Sequence, residues 1–417
     1  MGRYLIGGGN RLNGEVRLQG SKNASLPIMA ASVLNGGVSI LHNVPDIEDV
    51  RNMKKILISI GCKIYSEKNT LTIDSSSLNN CEVSEDLVSK MRSSVMLMGA
   101  LISKFKKAKF SYPGGCEIGL RPIDIHIKGL KALGALIEEE HGYILIDGSR
   151  LKSASVLLNY PSVGATENLI LASIFNKGVT SIHNAAKEPE IIDLQNYLNT
   201  MGARVYGAGT NNIYIEGVEK LHDCEYFIMP DRVVLATYLC ALNITGGKIC
   251  IKQGNLDSIK SPYYKLIESG MKIKSYTDEI TAISEQRLQP IDTIITQPYP
   301  GFPTDMQPLF TSMLTYADGT SIVKETVFEN RYKYISQLMR MGTDVKIDGR
   351  LAIIKGVRKL SGAKVYSQDL RGGAALVIAA LGAEGYSMVE DVSYIERGYE
   401  NLPEMMSGLG ADIRYIQ

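Results

Sequence analysis

The stretch ILISIGCKIY (residues 56–65) joins an apolar helical run, a glycine and an alternating, β-prone run, and the pattern recurs five more times. The copies are LKALGALIEE (130–139), YLNTMGARVY (197–206), LIESGMKIKS (266–275), LMRMGTDVKI (338–347) and MSGLGADIRY (406–415). Their glycines, Gly61, Gly134, Gly202, Gly270, Gly342 and Gly410, lie 68 to 73 residues apart. Glycine reaches the left-handed conformation without a Cβ penalty, so each copy reads as a helix that stops and turns into a strand.

A second element recurs at the same period: a small-residue, apolar helix followed by a strand. Its copies are SKNASLPIMAAS (21–32), MRSSVMLMGA (91–100), SVGATENLILAS (162–173), DRVVLATYLCA (231–241), TDMQPLFTSML (304–314) and LRGGAALVIAAL (370–381). Each repeat therefore reads strand–helix–strand–helix–strand–strand. The closing pair is clearest in KIYSEKNTLTI (63–73) and DVKIDGRLAIIKG (344–356), which alternate around a turn. Solenoid repeats are shorter, at ~20–50 residues, so six units in one solenoid is the lesser reading.

The sixth copy runs out at ADIRYIQ (411–417) with one of its two closing strands, and RYLIGG (3–8) then GEVRLQG (14–20) carry the missing strand character. The N-terminus is expected to complete the last unit. The fold class is α/β (α+β), in two domains of three βαβαββ repeats: residues 22–229, and residues 1–21 plus 230–417. Chain crossings near Gly20 and Pro230 are the geometry of a hinge, and a cleft between such domains is a natural site.

Composition limits the function. With 45 basic and 44 acidic residues among 417, the net charge of +1 argues against a nucleic-acid binder but allows a local cation cluster around a small anion. MGRYLIGGGN lacks the apolar core of a signal peptide, and Ile6 breaks the myristoylation motif that Gly2 would open. The longest apolar stretch, 374–383, is about ten residues, too short for a bilayer. Cys62, Cys81, Cys116, Cys224, Cys240 and Cys250 form no C-x-x-C, and the five histidines form no metal-ligand spacing. A cytoplasmic protein with free thiols, no structural metal and no cofactor is expected. GGGNRLNGEV (7–16) lacks the Lys-Ser/Thr of a triphosphate-binding loop.

Charged and polar residues gather where the six apolar helices begin: Lys22 and Asn23, Arg92, Ser162 with Gly164, Asp231 with Arg232, Asp305, and Asp369 with Arg371. Helix N-termini attract anions, and cations there oppose the dipole. Repetition at equivalent positions points to a shared multi-anion site; taken singly, each is as well read as a solvated charge. The segment SYPGGCEIGLRPIDIHIKGL (111–130) is the sharpest local signal. Its glycines suit a closing loop, and Pro122 suits the start of the next helix. Cys116, five residues before Arg121, is either an activated thiol or a small buried hydrophobe. YPGFPTDMQP (299–308) holds Asp305 behind a Pro-rich turn, as a site carboxylate or a plain helix cap beside Thr304. VFENRYKY (327–334) adds Glu329, Asn330 and Arg331, and ERGYENLP (396–403) adds Arg397.

With GSKNASLP, MRSSVMLMG, PGGCEIGLRPIDIHI, PSVGATEN, AAKEPEIIDL, FPTDMQ, ENRY, DLRGGAALV and ERGYE in view, essentially the whole chain resembles the UDP-N-acetylglucosamine 1-carboxyvinyltransferases, within the wider EPSP synthase-like group. The Cys-containing loop separates that family from 5-enolpyruvylshikimate-3-phosphate synthase. The resemblance implies an inside-out α/β barrel in each domain. It implies transfer of the enolpyruvyl group of phosphoenolpyruvate to the 3-hydroxyl of UDP-N-acetylglucosamine, with release of phosphate. This is the first committed step of peptidoglycan synthesis. A shikimate-type synthase, or a nucleotide-sugar-binding paralogue without turnover, are the alternatives.

The same resemblance implies roles. Lys22, Asn23, Arg121, Arg371 and Arg397 would contact phosphoenolpyruvate. Asn23, Arg92, the run Arg121, Pro122, Ile123, Asp124 and Ile125, the loop Ser162, Val163 and Gly164, and Asp305 and Val327 would contact UDP-N-acetylglucosamine. Cys116 would donate the proton and can carry a pyruvate adduct, Asp305 would be the base, and Lys22 and Arg397 would complete the catalytic set. Asp231, Glu329 and Asp369 would support the site. Partners are the two small substrates, with no nucleic acid and no membrane. Two places depart from the family pattern: Tyr160 stands where one branch has Lys, and Val233-Val234 follows Asp231-Arg232 where an acidic residue and a glycine are expected.

Overall fold

A computed structural model describes residues 2–88, 91–112 and 123–417, without the side chain of Arg92. The six repeat glycines all have positive φ: +107° at Gly61, +97° at Gly134, +95° at Gly202, +98° at Gly270, +92° at Gly342 and +97° at Gly410. Each ends a helix and turns the chain into the first strand of a hairpin, such as Lys63–Glu67 with Thr70–Asp74.

The strands form six sheets of four among the described residues. Every sheet has one parallel pair followed by two antiparallel pairs, as in Ser155–Leu157, Val179–His183, Asn212–Glu216 and Arg204–Tyr206. This is the strand pattern that six βαβαββ repeats produce.

The chain divides into two units. One holds residues 2–19 and 230–417; the other holds the described residues of 20–112 and 123–229. In the first, the strand Arg3–Gly7 lies between Tyr386–Glu390 and Asp412–Ile416, antiparallel to both, and fills the last place in the sixth sheet. The strand Leu12–Arg17 instead runs parallel to Gly247–Lys252 and leads the fourth repeat. The 20–229 unit uses its own end in the same way. Cys224–Phe227 returns to lie parallel to Val38–His42 and leads the first repeat.

Inside each unit three apolar helices form the core. In the 230–417 unit they are Arg232–Thr245, Gln307–Leu314 and Leu370–Gly382; in the 20–229 unit they are Lys22–Ala31, Leu97–Phe105 and Val163–Ser173. They are buried on every side rather than along one stripe: Arg371 through Leu381 has no exposed residue. Such helices sit inside their sheets, and burying each Leu, Ile or Val contributes about 1.5–3 kcal/mol. Among the described residues no helix is long and apolar enough to cross a membrane.

Two of the helix starts are not plain α-helical N-termini. Arg92–Met96 is a 3-10 turn, and the α-helix begins at Leu97. Asp305 precedes its helix, which starts at Gln307 with Pro308 in the first turn, where proline needs no backbone donor.

Candidate functional site

In the 230–417 unit the loops before the core helices bring together residues distant in sequence. Asp231 and Asp369 cap their helices. Asp231 Oδ1 accepts from the amides of Val233 (2.8 Å) and Val234 (3.1 Å), and Asp369 Oδ1 from those of Arg371 (3.0 Å) and Gly372 (2.9 Å). The departing Val233-Val234 pair is therefore core and cap structure. Asp305 makes no such cap. Its carboxylate accepts from Arg331 Nη2 at 3.0 Å and lies 3.5 Å from Arg371 Nη2. Arg331 also donates to the Thr304 carbonyl (3.1 Å) and lies 3.9 Å from Asp369.

The burial of this cluster is uneven. The two arginine side chains are 2% and 3% exposed, whereas that of Asp305 is 33% exposed. Arg371 Nε and Nη1 and Arg331 Nε have no hydrogen-bond partner among the described residues. Desolvation works against the charge of Arg371, but Tyr399, Asp305 and Asp231 outweigh it and hold the guanidinium charged. The Tyr399 ring lies beneath that guanidinium, 5.6 Å to its centroid. Buried guanidinium N–H groups without partners, beside an accessible carboxylate, suit a small planar anion.

Gln19 was not singled out by sequence, yet it fastens this region. Its backbone carbonyl accepts from Asp231 N (2.9 Å), its Nε2 donates to Gly398 O (3.1 Å), and its Oε1 accepts from Glu400 N (2.8 Å). It thereby frames half-buried Arg397. Glu329 is exposed and lies 3.7 Å from Arg350, a surface pair worth about 0–1 kcal/mol. It also lines an open groove of about 800 Å³ with Lys333, Ser336, Tyr366, Asp391 and Tyr394. Val327 donates its amide to Glu325 (2.8 Å).

In the 20–229 unit Lys22 opens its helix behind the Ser21 cap, and its Nζ meets Asp49 Oδ2 at 2.8 Å. Asp49 is 1% exposed and the Lys22 side chain 12%, so this pair is largely buried. Asn23 beside it is half-buried. Ser162 caps the next helix by accepting from Ala165 N (3.4 Å), with Val163 and Gly164 half-buried behind it. A Cβ on Gly164 would stand 3.0 Å from His126 Cε1, so glycine lets the Asp124–Ala132 helix approach this loop. Ile123 is buried, Ile125 half-buried, and exposed Asp124 meets Lys128 at 3.3 Å. Tyr160 is 42% exposed.

Asn168, which sequence reasoning passed over, ties these segments together. Its Oδ1 accepts from Gly99 N (2.7 Å); its Nδ2 donates to Val95 O (3.0 Å) and stands 2.8 Å from His126 Nδ1. The backbone partners fix the amide orientation, so Nδ1 of His126 accepts. Nearby, Glu167 is fully buried and neither carboxylate oxygen has a hydrogen-bond partner among the described residues. Burial, then Glu190 and Glu188, push its pKa well above the usual carboxylate range. The readings of Cys116, Arg121 and Pro122, and of the Arg92 side chain, lie outside the described residues. Among those described, no group of three or more His, Cys, Asp or Glu could hold a metal ion.

The sequence model of the family described as EPSP synthase (3-phosphoshikimate 1-carboxyvinyltransferase) matches residues 6–406. The chain is 52% identical over 413 residues to UDP-N-acetylglucosamine 1-carboxyvinyltransferase 2 of Caldanaerobacter subterraneus subsp. tengcongensis, covering 99% of each. It is 48% identical to UDP-N-acetylglucosamine 1-carboxyvinyltransferase 1 of Symbiobacterium thermophilum, covering 99% of this chain and 95% of the relative. Among solved structures, the enolpyruvyl transferase NikO from Streptomyces tendae superposes with a TM-score of 0.90 at 24% identity, over 99% of this chain and 98% of that one. That last likeness is one of fold.

Proposed function

The chain belongs to the EPSP synthase family and, within it, to the UDP-N-acetylglucosamine 1-carboxyvinyltransferases, and from that membership we infer that it transfers the enolpyruvyl group of phosphoenolpyruvate to the 3-hydroxyl of UDP-N-acetylglucosamine. Phosphate is released, and the product enters peptidoglycan synthesis. The observation that carries this reading is identity near one half over the full length to two relatives bearing that name.

In this reading Lys22, Asn23, Arg121, Arg371 and Arg397 hold the phosphate and carboxylate of phosphoenolpyruvate. Unpartnered N–H groups on buried Arg371 support that assignment. The nucleotide sugar lies against Asn23, Arg92, residues 121–125, Ser162 to Gly164, Asp305 and Val327. Asp231, Glu329 and Asp369 act in support, Asp231 and Asp369 through the caps they make.

The acceptor oxygen bonds to C2 of phosphoenolpyruvate as its proton passes to Asp305, and Cys116 delivers a proton to C3. Loss of a C3 proton and of phosphate from C2 then restores the double bond. Asp305 fits the first step because it is accessible and oriented by a buried guanidinium, as a base near a hydroxyl must be. Both substrates are cytoplasmic metabolites, and the reaction is assigned to the cytoplasm.

The role of Cys116 is tested by mass spectrometry after incubation with fosfomycin, an epoxide phosphonate. The wild-type chain should gain one adduct on Cys116, and Cys116→Ala none. Undiminished labelling of that variant would overturn the assignment.

A further inference from the structure

Glu325 follows the strand Thr320–Lys324 and is 1% exposed. A carboxylate taken out of water costs several kcal/mol unless its lone pairs are met. Here they are met by neutral donors from three stretches of chain. Oε1 accepts from Thr296 Oγ1 (2.9 Å) and from the amides of Val327 (2.8 Å) and Phe328 (3.2 Å), and Oε2 accepts from Thr304 Oγ1 (2.9 Å). No salt bridge reaches it among the described residues. Thr296 closes the circle by accepting from Thr326 N (2.8 Å).

The two segments held this way each carry a residue assigned to the acceptor sugar. Thr304 precedes Asp305, and Val327 is itself in the set. The Thr304–Asp305 pair is gripped from both sides: Glu325 takes the Thr304 hydroxyl, while one nitrogen of Arg331 donates to the Thr304 carbonyl and to Asp305. Rotation of the Asp305 carboxylate is thus limited by Arg331, and displacement of its backbone by Glu325.

We propose that Glu325 is a positioning residue for enolpyruvyl transfer, fixing the Asp305 carboxylate against the Val327 backbone so that the acceptor hydroxyl meets its base. The proposal rests on the reading of Asp305 as that base. A misplacement near 1 Å costs about 10²-fold in rate. Glu325→Ala should therefore lose about 10²-fold in kcat/KM for UDP-N-acetylglucosamine and leave KM for phosphoenolpyruvate unchanged. Glu325→Gln should recover to within about tenfold of wild type. Its oxygen can serve Thr296, Val327 and Phe328, and its amide can donate to the Thr304 hydroxyl, with weaker neutral bonds.

The test measures phosphate release with both substrates varied, beside thermal melts of each variant. Thr304→Val removes the Oε2 contact at nearly constant shape and covers the case in which Glu325→Ala does not fold. A fall in kcat/KM for the sugar with an unchanged melt in Thr304→Val, together with rescue by Glu325→Gln, supports the proposal. Native sugar kinetics in Thr304→Val overturn it. So does an equal rise in both KM values in a folded Glu325→Ala. Asp305→Ala run in parallel separates the two claims: retained turnover there removes the premise, whereas its loss beside unaffected Glu325 and Thr304 variants removes only this proposal.

Discussion

The two units repeat one βαβαββ plan but bury different sets of ionisable groups, acids paired with arginines in one and acids alone in the other among the described residues. The 230–417 unit buries Asp231, Glu325 and Asp369 with Arg232, Arg331 and Arg371; the 20–229 unit buries Asp49, Glu167, Glu190 and Asp193, and no arginine among its described residues. The arginines Arg232 and Arg371 stand at core-helix starts beside the caps Asp231 and Asp369, whereas Glu167 lies inside its core helix and Asp49, Glu190 and Asp193 lie on the outer helices Glu48–Ser59 and Pro189–Thr200. A shared backbone fixes where a side chain stands. Its partners decide whether its charge survives burial.

The largest expected effect tests the guanidinium half. Asp305→Ala should lower kcat by about 10²–10⁴, the usual contribution of a general base. A single-turnover phosphate assay with a fold check by circular dichroism reads it, and a loss below tenfold would leave the cluster structural.

Next comes the ion pair that Asp49 makes with Lys22, a residue proposed to contact phosphoenolpyruvate. Asp49→Ala leaves Lys22 largely buried without that partner, and breaking such a pair costs about 3 kcal/mol. Chemical denaturation should show the loss. An unchanged midpoint would mean that solvent replaces Asp49.

The buried acids give a pH test with a definite sign. Burial raises Asp193 from 3.8 to about 6, with its Tyr226 hydrogen bond opposing, and burial also raises Glu167 well above the ordinary glutamate value. A carboxyl with a raised folded pKa favours folding below its unfolded value and loses that contribution as pH rises through the folded one. For Asp193 the loss falls between 3.8 and about 6. For Glu167 it runs well above the ordinary glutamate value. Glu167→Gln should therefore raise the melting temperature at pH 8 by about 2–4 °C, the shift that 1 kcal/mol gives a unit of this size. It should change little at pH 5, and a lower melt at pH 8 would show that Glu167 is needed as a charge.

The smallest effects separate the repeat glycines. At Gly342, φ is +92° and nothing lies within 4 Å of an added Cβ, so Gly342→Ala should cost about 1 kcal/mol of left-handed strain. At Gly61 that Cβ would stand 2.8 Å from the Ser77 carbonyl, and the alanine variant should melt lower still.

The repeat was legible because a helix-ending glycine leaves a mark every 68 to 73 residues. The strand Cys224–Phe227 was not, because four residues, CEYF, half of them exposed, carry too little alternation to be read as the leader of a sheet begun near residue 38. Among the residues proposed for the site, Asp305, Lys22 and Arg371 stand out by residue type beside a helix start. Glu325, Asn168 and Gln19 do not, since what they do depends on partners 29, 73 and 379 residues away. Asp305 shows the same limit: its place was readable, but its pairing with Arg331 rather than a cap required the fold.

The central claim is acceptor choice, and phosphate release from phosphoenolpyruvate by the wild-type chain measures it directly. The account predicts release that depends on UDP-N-acetylglucosamine and does not respond to shikimate 3-phosphate. Release driven by shikimate 3-phosphate, or thermal stabilisation by UDP-N-acetylglucosamine with no phosphate released, would contradict it.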